Sequence, residues 1–158
     1  MAQQIWLLRH GEAVPHESKL DSERELTARG ERQAVAAGAG LARLGIEFSA
    51  CYTSPKVRAR DTARLACGAL NIEPEEADAL GDGFEREDAL ELLFGHDADA
   101  RVLLVGHDPS FTQVVQDLTG ARVDFKKGGV AAVSVERSGG ELLVLLRPRE
   151  LESLARVS

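Results

Sequence analysis

Two segments of this chain run from an apolar stretch straight into a histidine: Leu7-Leu8-Arg9-His10-Gly11 and Leu104-Val105-Gly106-His107-Asp108. Ile5–Leu8 and Arg101–Val105 read as short buried strands, each ending where its histidine tripeptide begins. In open α/β sheets, ligands bind beyond the carboxyl ends of the strands. Two histidines at equivalent strand ends can therefore share one site, although they are far apart in the chain. One such histidine is more often a core residue bonded to a carbonyl. A pair, each beside a glycine, points to chemistry. A third segment, Thr53-Ser54-Pro55-Lys56-Val57-Arg58, also ends a strand and places Arg58 in the first turn of the next helix. A helix N-terminus favours anions through its free N–H groups and its dipole. The guanidinium adds a planar fork suited to phosphate oxygens, and Arg9 supplies a second. Alone, Arg58 would be an ordinary surface arginine, which is how Arg60 and Arg64 are read. Two histidines and two arginines converging on one anion suit phosphoryl transfer. A neutral imidazole attacks phosphorus in line, the arginines hold the equatorial oxygens, and the second histidine donates a hydrogen bond.

The elements that must position these residues follow from the pattern. Ala13–Leu26 is polar, contains Pro15 and reads as a loop. Thr27 is expected to cap a helix over about Ala28–Leu44, with Leu26, Ala34, Val35, Leu41 and Leu44 as its apolar stripe and Gly45 as its stop. The full capping box fails, because position 30 is glycine. Phe48–Thr53 is a second strand, and a helix with Pro55 in its first turn runs to about Leu70. Asn71–Leu80 holds a short edge strand with Pro74. Gly81-Asp82-Gly83 is a turn, and Glu85–Phe94 is a helix with Ala89, Leu90, Leu93 and Phe94 on its apolar face. Pro109 opens a helix through about Leu118. Val130–Glu136 and Glu141–Leu146 form a hairpin around Ser138-Gly139-Gly140, and Pro148–Ala155 is a terminal helical turn. Strands alternating with helices, then a hairpin, imply a three-layer α/β/α sandwich. Its sheet is mostly parallel with an antiparallel edge.

The 158 residues fit one domain over 1–158, large enough to bury a core without staples. Asp+Glu outnumber Lys+Arg by 26 to 19, for a net charge of -7. That balance argues against nucleic acid or an anionic membrane as partner, which need a basic surface. A local anion pocket remains compatible with it. The N-terminus has no basic region and only a short apolar run, so a cytoplasmic, soluble protein is expected. Cys51 and Cys67 leave room for at most one bridge and read as small core residues. A thiol phosphatase would need C-x5-R, and Arg58 falls one residue late after Cys51. No G-x-S-x-G, P-loop or GxGxxG occurs. A metal site built from His10, His16, His96 and His107 lacks ligand spacing.

The chemistry-bearing segments resemble a known family. Leu8-Arg9-His10-Gly11-Glu12 is similar to the signature of the histidine phosphatase (phosphoglycerate mutase-like) superfamily. Ser54-Pro55-Lys56-Val57-Arg58-Ala59 looks like its second phosphate-binding motif, and Val105-Gly106-His107-Asp108-Pro109 like its second-histidine motif. Order and spacing match over nearly the whole chain. Within the superfamily it resembles the small SixA-type phosphohistidine phosphatases, with Leu26-Thr27-Ala28-Arg29-Gly30 and Phe125-Lys126-Lys127-Gly128-Gly129 as supporting segments. The resemblance implies a phosphoglycerate mutase-like fold and a phosphatase working through a phosphohistidine on His10. Arg9, Arg58 and His107 would bind and stabilise the phosphoryl group. No metal or organic cofactor is implied, and inorganic phosphate would be the product.

Larger relatives carry a glutamate general acid between the second and third motifs. Here that stretch is short. Asp82, Glu85 and Glu87 qualify by location only, and Asp108 by its place beside His107; solvated loop and cap charges are the plainer reading of the first three. A general acid contributes about 10²–10⁴-fold by protonating a poor leaving group. A phosphorylated imidazole leaves more easily than an alkoxide. A site without a placed acid therefore fits phosphohistidine on a phosphorelay or carrier protein. The alternatives are a small-molecule phosphomonoester phosphatase or mutase on the same scaffold and, third, a non-catalytic phosphate-binding module.

Overall fold

The computed structural model describes residues 2–156. Strand β1 (Gln3–Arg9) shows why a central strand forms here: Trp6 and Leu8 are buried on one face, Ile5 and Leu7 on the other. Strand β4 (Arg101–Gly106) repeats the pattern with Leu103 and Val105 opposed to Val102 and Leu104. Continuous apolar runs suit strands covered on both sides. Adding β2 (Ala50–Thr53), β3 (Pro74–Glu76), β5 (Val130–Glu136) and β6 (Gly139–Leu146) completes one sheet, ordered β3-β2-β4-β1-β5-β6. The first four in that order are parallel, while β5 and β6 run antiparallel to their neighbours.

Helices cover both faces. On the face of Trp6 and Leu8 lie α1 (Ala28–Arg43), α2 (Val57–Cys67) and α5 (Pro148–Arg156). On the face of Ile5 and Leu7 lie α3 (Arg86–Leu93) and α4 (Ser110–Thr119). The expected three-layer sandwich with an antiparallel edge is the architecture observed. Thr27 caps α1 as anticipated, its side chain accepting from the Gly30 N–H at 3.1 Å. Small residues let the helices of one layer close up. A methyl group on Gly38 would meet the Ala66 carbonyl oxygen at 2.1 Å, and one on Gly40 the Leu151 oxygen at 2.9 Å.

Several local expectations are corrected. Val35 and Leu44 are exposed, since α1 buries its Ala34, Ala37 and Leu41 side chains between its neighbours instead. Helix α2 starts at Val57, two residues beyond Pro55, and stops at Cys67 before Gly68. Phe94 lies 79% exposed because α3 ends at Leu93 and Gly95 turns the chain away at φ +87°. The final segment is a nine-residue helix on α1, where a single turn was expected. The polar stretch after Gly11 has its own order: Ala13 pairs with Leu26, and Asp21–Glu23 forms one 3-10 turn.

Candidate active site

Parallel register brings the histidines together. Arg9 pairs with Gly106 and Thr53 with Val105, so His10, Ser54 and His107 each stand one residue past a strand end on one edge of the sheet. The His10 N–H donates to the Gly106 carbonyl at 3.0 Å, and the Ser54 N–H to the Val105 carbonyl at 3.0 Å. The loop before β5 supports the first strand end from behind. The Gly128 N–H bonds the Arg9 and His10 carbonyls, at 3.0 and 3.1 Å. Thr62 of α2 ties two motifs, accepting from the Gly11 N–H at 3.1 Å and donating to the Arg58 carbonyl at 2.7 Å.

The resulting cluster is nearly dry, with His10, Arg58 and His107 only 7%, 6% and 8% exposed. The two imidazole centroids lie 5.2 Å apart. Nδ1 of His10 sits 2.7 Å from the Gly11 carbonyl oxygen, which can only accept. That bond fixes the proton on Nδ1 and leaves Nε2 with a free lone pair. The Arg58 Nε–H points at that nitrogen from 3.3 Å. Burial, opposed by the Gly11 bond and reinforced by His107, Arg58 and Arg9, lowers the His10 pKa to about 3. Burial, then Arg58 and Lys56, lower His107 to about 4. Both rings are therefore neutral at neutral pH.

Each cation of the site has a neighbour that orients it. Arg58 donates from Nη1 to the Asp21 carbonyl at 2.7 Å and from Nη2 to the Asp21 carboxylate at 3.3 Å. Lys56 bridges the Asp21 and Asp82 carboxylates at 2.9 and 2.6 Å. Arg9 donates to the Phe125 carbonyl at 2.6 Å, while its Nε–H is buried without a partner among the described residues. Ser54 Oγ lies 2.8 Å from His107 Nε2 and accepts from the Lys56 N–H at 3.2 Å. Such a constellation offers a neutral nitrogen nucleophile beside fixed positive charge, which is what a phosphoryl transfer needs.

The structure thus gathers His10, Arg58 and His107 at one point, with Arg9 alongside. Reasoning from sequence missed Asp21, Ser54, Lys56 and Thr62 as their partners. Ser54 carried a usable signal, since it follows a strand end as both histidines do. Asp21 carried none, lying in an aperiodic polar loop. The four carboxylates weighed as acids are otherwise engaged. Lys56 holds the Asp82 carboxyl below its usual range. Glu87 is exposed and likewise lowered, by a backbone bond and by Arg86. Glu85 caps α3 in a capping box, its side chain accepting from the Asp88 backbone N–H while its own N–H bonds the Asp88 carboxylate at 2.9 Å. Asp108 accepts from the Thr112 N–H and hydroxyl at 2.9 and 2.8 Å. Cys51 and Cys67 are free thiols buried in the core. His96 lies at the opposite end of β1, against Tyr52 at 3.0 Å, and His16 sits on Arg24 at 2.9 Å.

Comparison with known proteins bears on the family and the fold. The model of the histidine phosphatase superfamily (branch 1) matches residues 5–84. An uncharacterized protein of Picosynechococcus sp. is 30% identical over 162 residues, spanning 94% of this chain and 98% of the relative. The protein histidine phosphatase SixA complexed with tungstate superposes with TM-score 0.84 over 94% of this chain and 99% of its own. At 24% identity that likeness is one of fold. A candidate phosphohistidine phosphatase SixA from Nakamurella multipartitia superposes with TM-score 0.77 at 25% identity, covering 94% and 97%.

Proposed function

This chain belongs to the histidine phosphatase superfamily, branch 1, and we propose that it is a phosphatase acting on phosphohistidine side chains of proteins. One observation carries the reading: a neutral His10, its proton fixed on Nδ1, faces the Arg58 guanidinium beside the His107 ring. Nε2 of His10 attacks phosphorus, and the bond from phosphorus to the substrate's imidazole nitrogen breaks. The departing ring leaves as neutral imidazole, its other nitrogen taking a proton from solvent. Arg58, Arg9 and an N–H of His107 hold the phosphoryl oxygens as charge builds on them. The guanidinium exchanges its bond to Nε2 for bonds to phosphate. Water then attacks the phosphohistidine on His10, restoring the imidazole and releasing inorganic phosphate.

The engaged carboxylates support the substrate class. Asp82 is kept ionised by Lys56 and Asp108 is bound to Thr112, so neither is poised to give a proton. A leaving imidazole does without that help; an alkoxide does not. The test is a phosphate-release panel with a phosphohistidine protein, p-nitrophenyl phosphate, sugar phosphates and phosphoglycerates. Phosphohistidine should be turned over best. His10→Ala should lower release by at least about 10³-fold while circular dichroism is unchanged. Acid-labile phosphate should be trapped on His10 in the wild type. A clear preference for a sugar phosphate would overturn the substrate class, and a fully active His10→Ala variant the nucleophile.

A further inference from the structure

A cavity of about 650 Å³ opens beside Arg9, between α1, the loop before β5 and the start of α5. Its lining runs against the charge of the whole molecule. Six cationic side chains meet three anionic ones there, in a chain whose net charge is -7. Some of those cations are already matched: Lys126 pairs with Asp124 at 2.8 Å, and Arg147 with Glu150 at 2.8 Å. Arg29 and Lys127 have no ion pair among the described residues, and both are exposed. Arg9 is shared between this cavity and the phosphoryl cluster, and its buried Nε–H has no partner among the described residues.

We propose that this cavity receives acidic side chains flanking the phosphohistidine of a protein substrate, with Arg29 and Lys127 as the residues that recognise them. This rests on the phosphohistidine reading above. The distribution of charge selects carboxylates. The two unmatched cations, Arg29 on α1 and Lys127 in the loop before β5, come from separate segments, so they match single charges carried on separate side chains. Glu12, Asp124 and Glu152 stand between them and would repel a densely charged polyphosphate. The volume exceeds what one phosphate fills, and Pro148 gives it an apolar surface for the stems of Asp and Glu. Exposed charges of this kind act on encounter and on KM more than on the chemical step, and salt screens them.

The experiment uses two peptides with a central phosphohistidine, one flanked by Asp and Glu, the other by Ser and Gly. The wild type should favour the acidic peptide by about tenfold or more in kcat/KM, through KM, and 0.5 M salt should erase the preference. Arg29→Glu with Lys127→Glu should abolish it, Arg29→Gln with Lys127→Gln should halve it, and both should leave p-nitrophenyl phosphate turnover within twofold. Equal turnover of the two peptides by the wild type overturns the proposal, as does a preference that survives the charge reversal. If neither peptide is hydrolysed, the phosphohistidine reading has failed, and binding decides the cavity separately. The unphosphorylated acidic peptide, followed by fluorescence anisotropy, should bind the wild type and not the reversed variant. No binding, or displacement only by inorganic triphosphate, overturns the proposal.

Discussion

At the scale of single residues, His10 is governed by what the chain does one position later. The Gly11 carbonyl accepts a hydrogen bond from Nδ1–H, and burial keeps the ring neutral. An exposed histidine titrates near 6.5 and would lose its lone pair below neutrality. Here the free-enzyme pKa values are about 3 for His10 and about 4 for His107. With p-nitrophenyl phosphate, and after correction for the substrate's own ionisation, kcat/KM should stay level from pH 7 down to about 5. It should fall only as the pH drops through about 4 toward 3. An acid limb centred near 6.5 would show that His10 is not held as described.

At the scale of elements, the histidine loop is pinned by glycines. A methyl group on Gly11 would stand 2.5 Å from the Gly30 carbonyl oxygen, and one on Gly30 only 2.0 Å from the Glu12 oxygen. The loop after β1 and the first turn of α1 thus touch backbone to backbone, which no side chain permits. Thr27 caps that same turn and donates to the Glu12 carboxylate at 2.8 Å. Gly30→Ala must push Glu12 outward, two residues from His10. It should cost about 1–3 kcal/mol of stability, read as a lower urea midpoint. It should also slow phosphate release well beyond what the lost folded fraction explains. Wild-type stability and activity together would mean that the contact is slack. The same helix shows where patterning misleads: Val35 and Leu44 keep the right period yet face solvent. Hydropathy records the stripe, whereas the position of α5 and α2 decides which side of it is covered.

For the whole molecule, the charge pattern and the buried histidines set the response to acid. Both histidines have folded pKa values below their unfolded value of about 6.5. Between those values the unfolded chain binds protons that the folded chain refuses. Their contribution is therefore complete above about pH 6.5 and is lost as the pH falls through about 4 toward 3. Asp21, lowered to about 2 chiefly by its bond to Lys56, adds a smaller loss at lower pH because it is half exposed. The urea midpoint should decline steadily from pH 6.5 to 4, and His10→Gln should flatten the decline. A level midpoint over that range would contradict the burial of neutral rings.

Periodicity and strand ends were enough, by themselves, to reveal the layered α/β class and the two histidines and two arginines worth watching. The physical reason is local: an apolar run that stops at a polar tripeptide marks a strand end, and strand ends are where such sheets bind ligands. Tertiary structure alone decided what those residues touch. Asp21 reaches Arg58 from an aperiodic loop, Thr62 ties Gly11 to α2, and Ser54 meets His107 across neighbouring strands. Arg29 and Lys127 come to line one cavity only because α1, the loop before β5 and the start of α5 close on each other. Residues far apart in sequence acquire a common field when folding brings them within a Debye length, and no window along the chain carries that information.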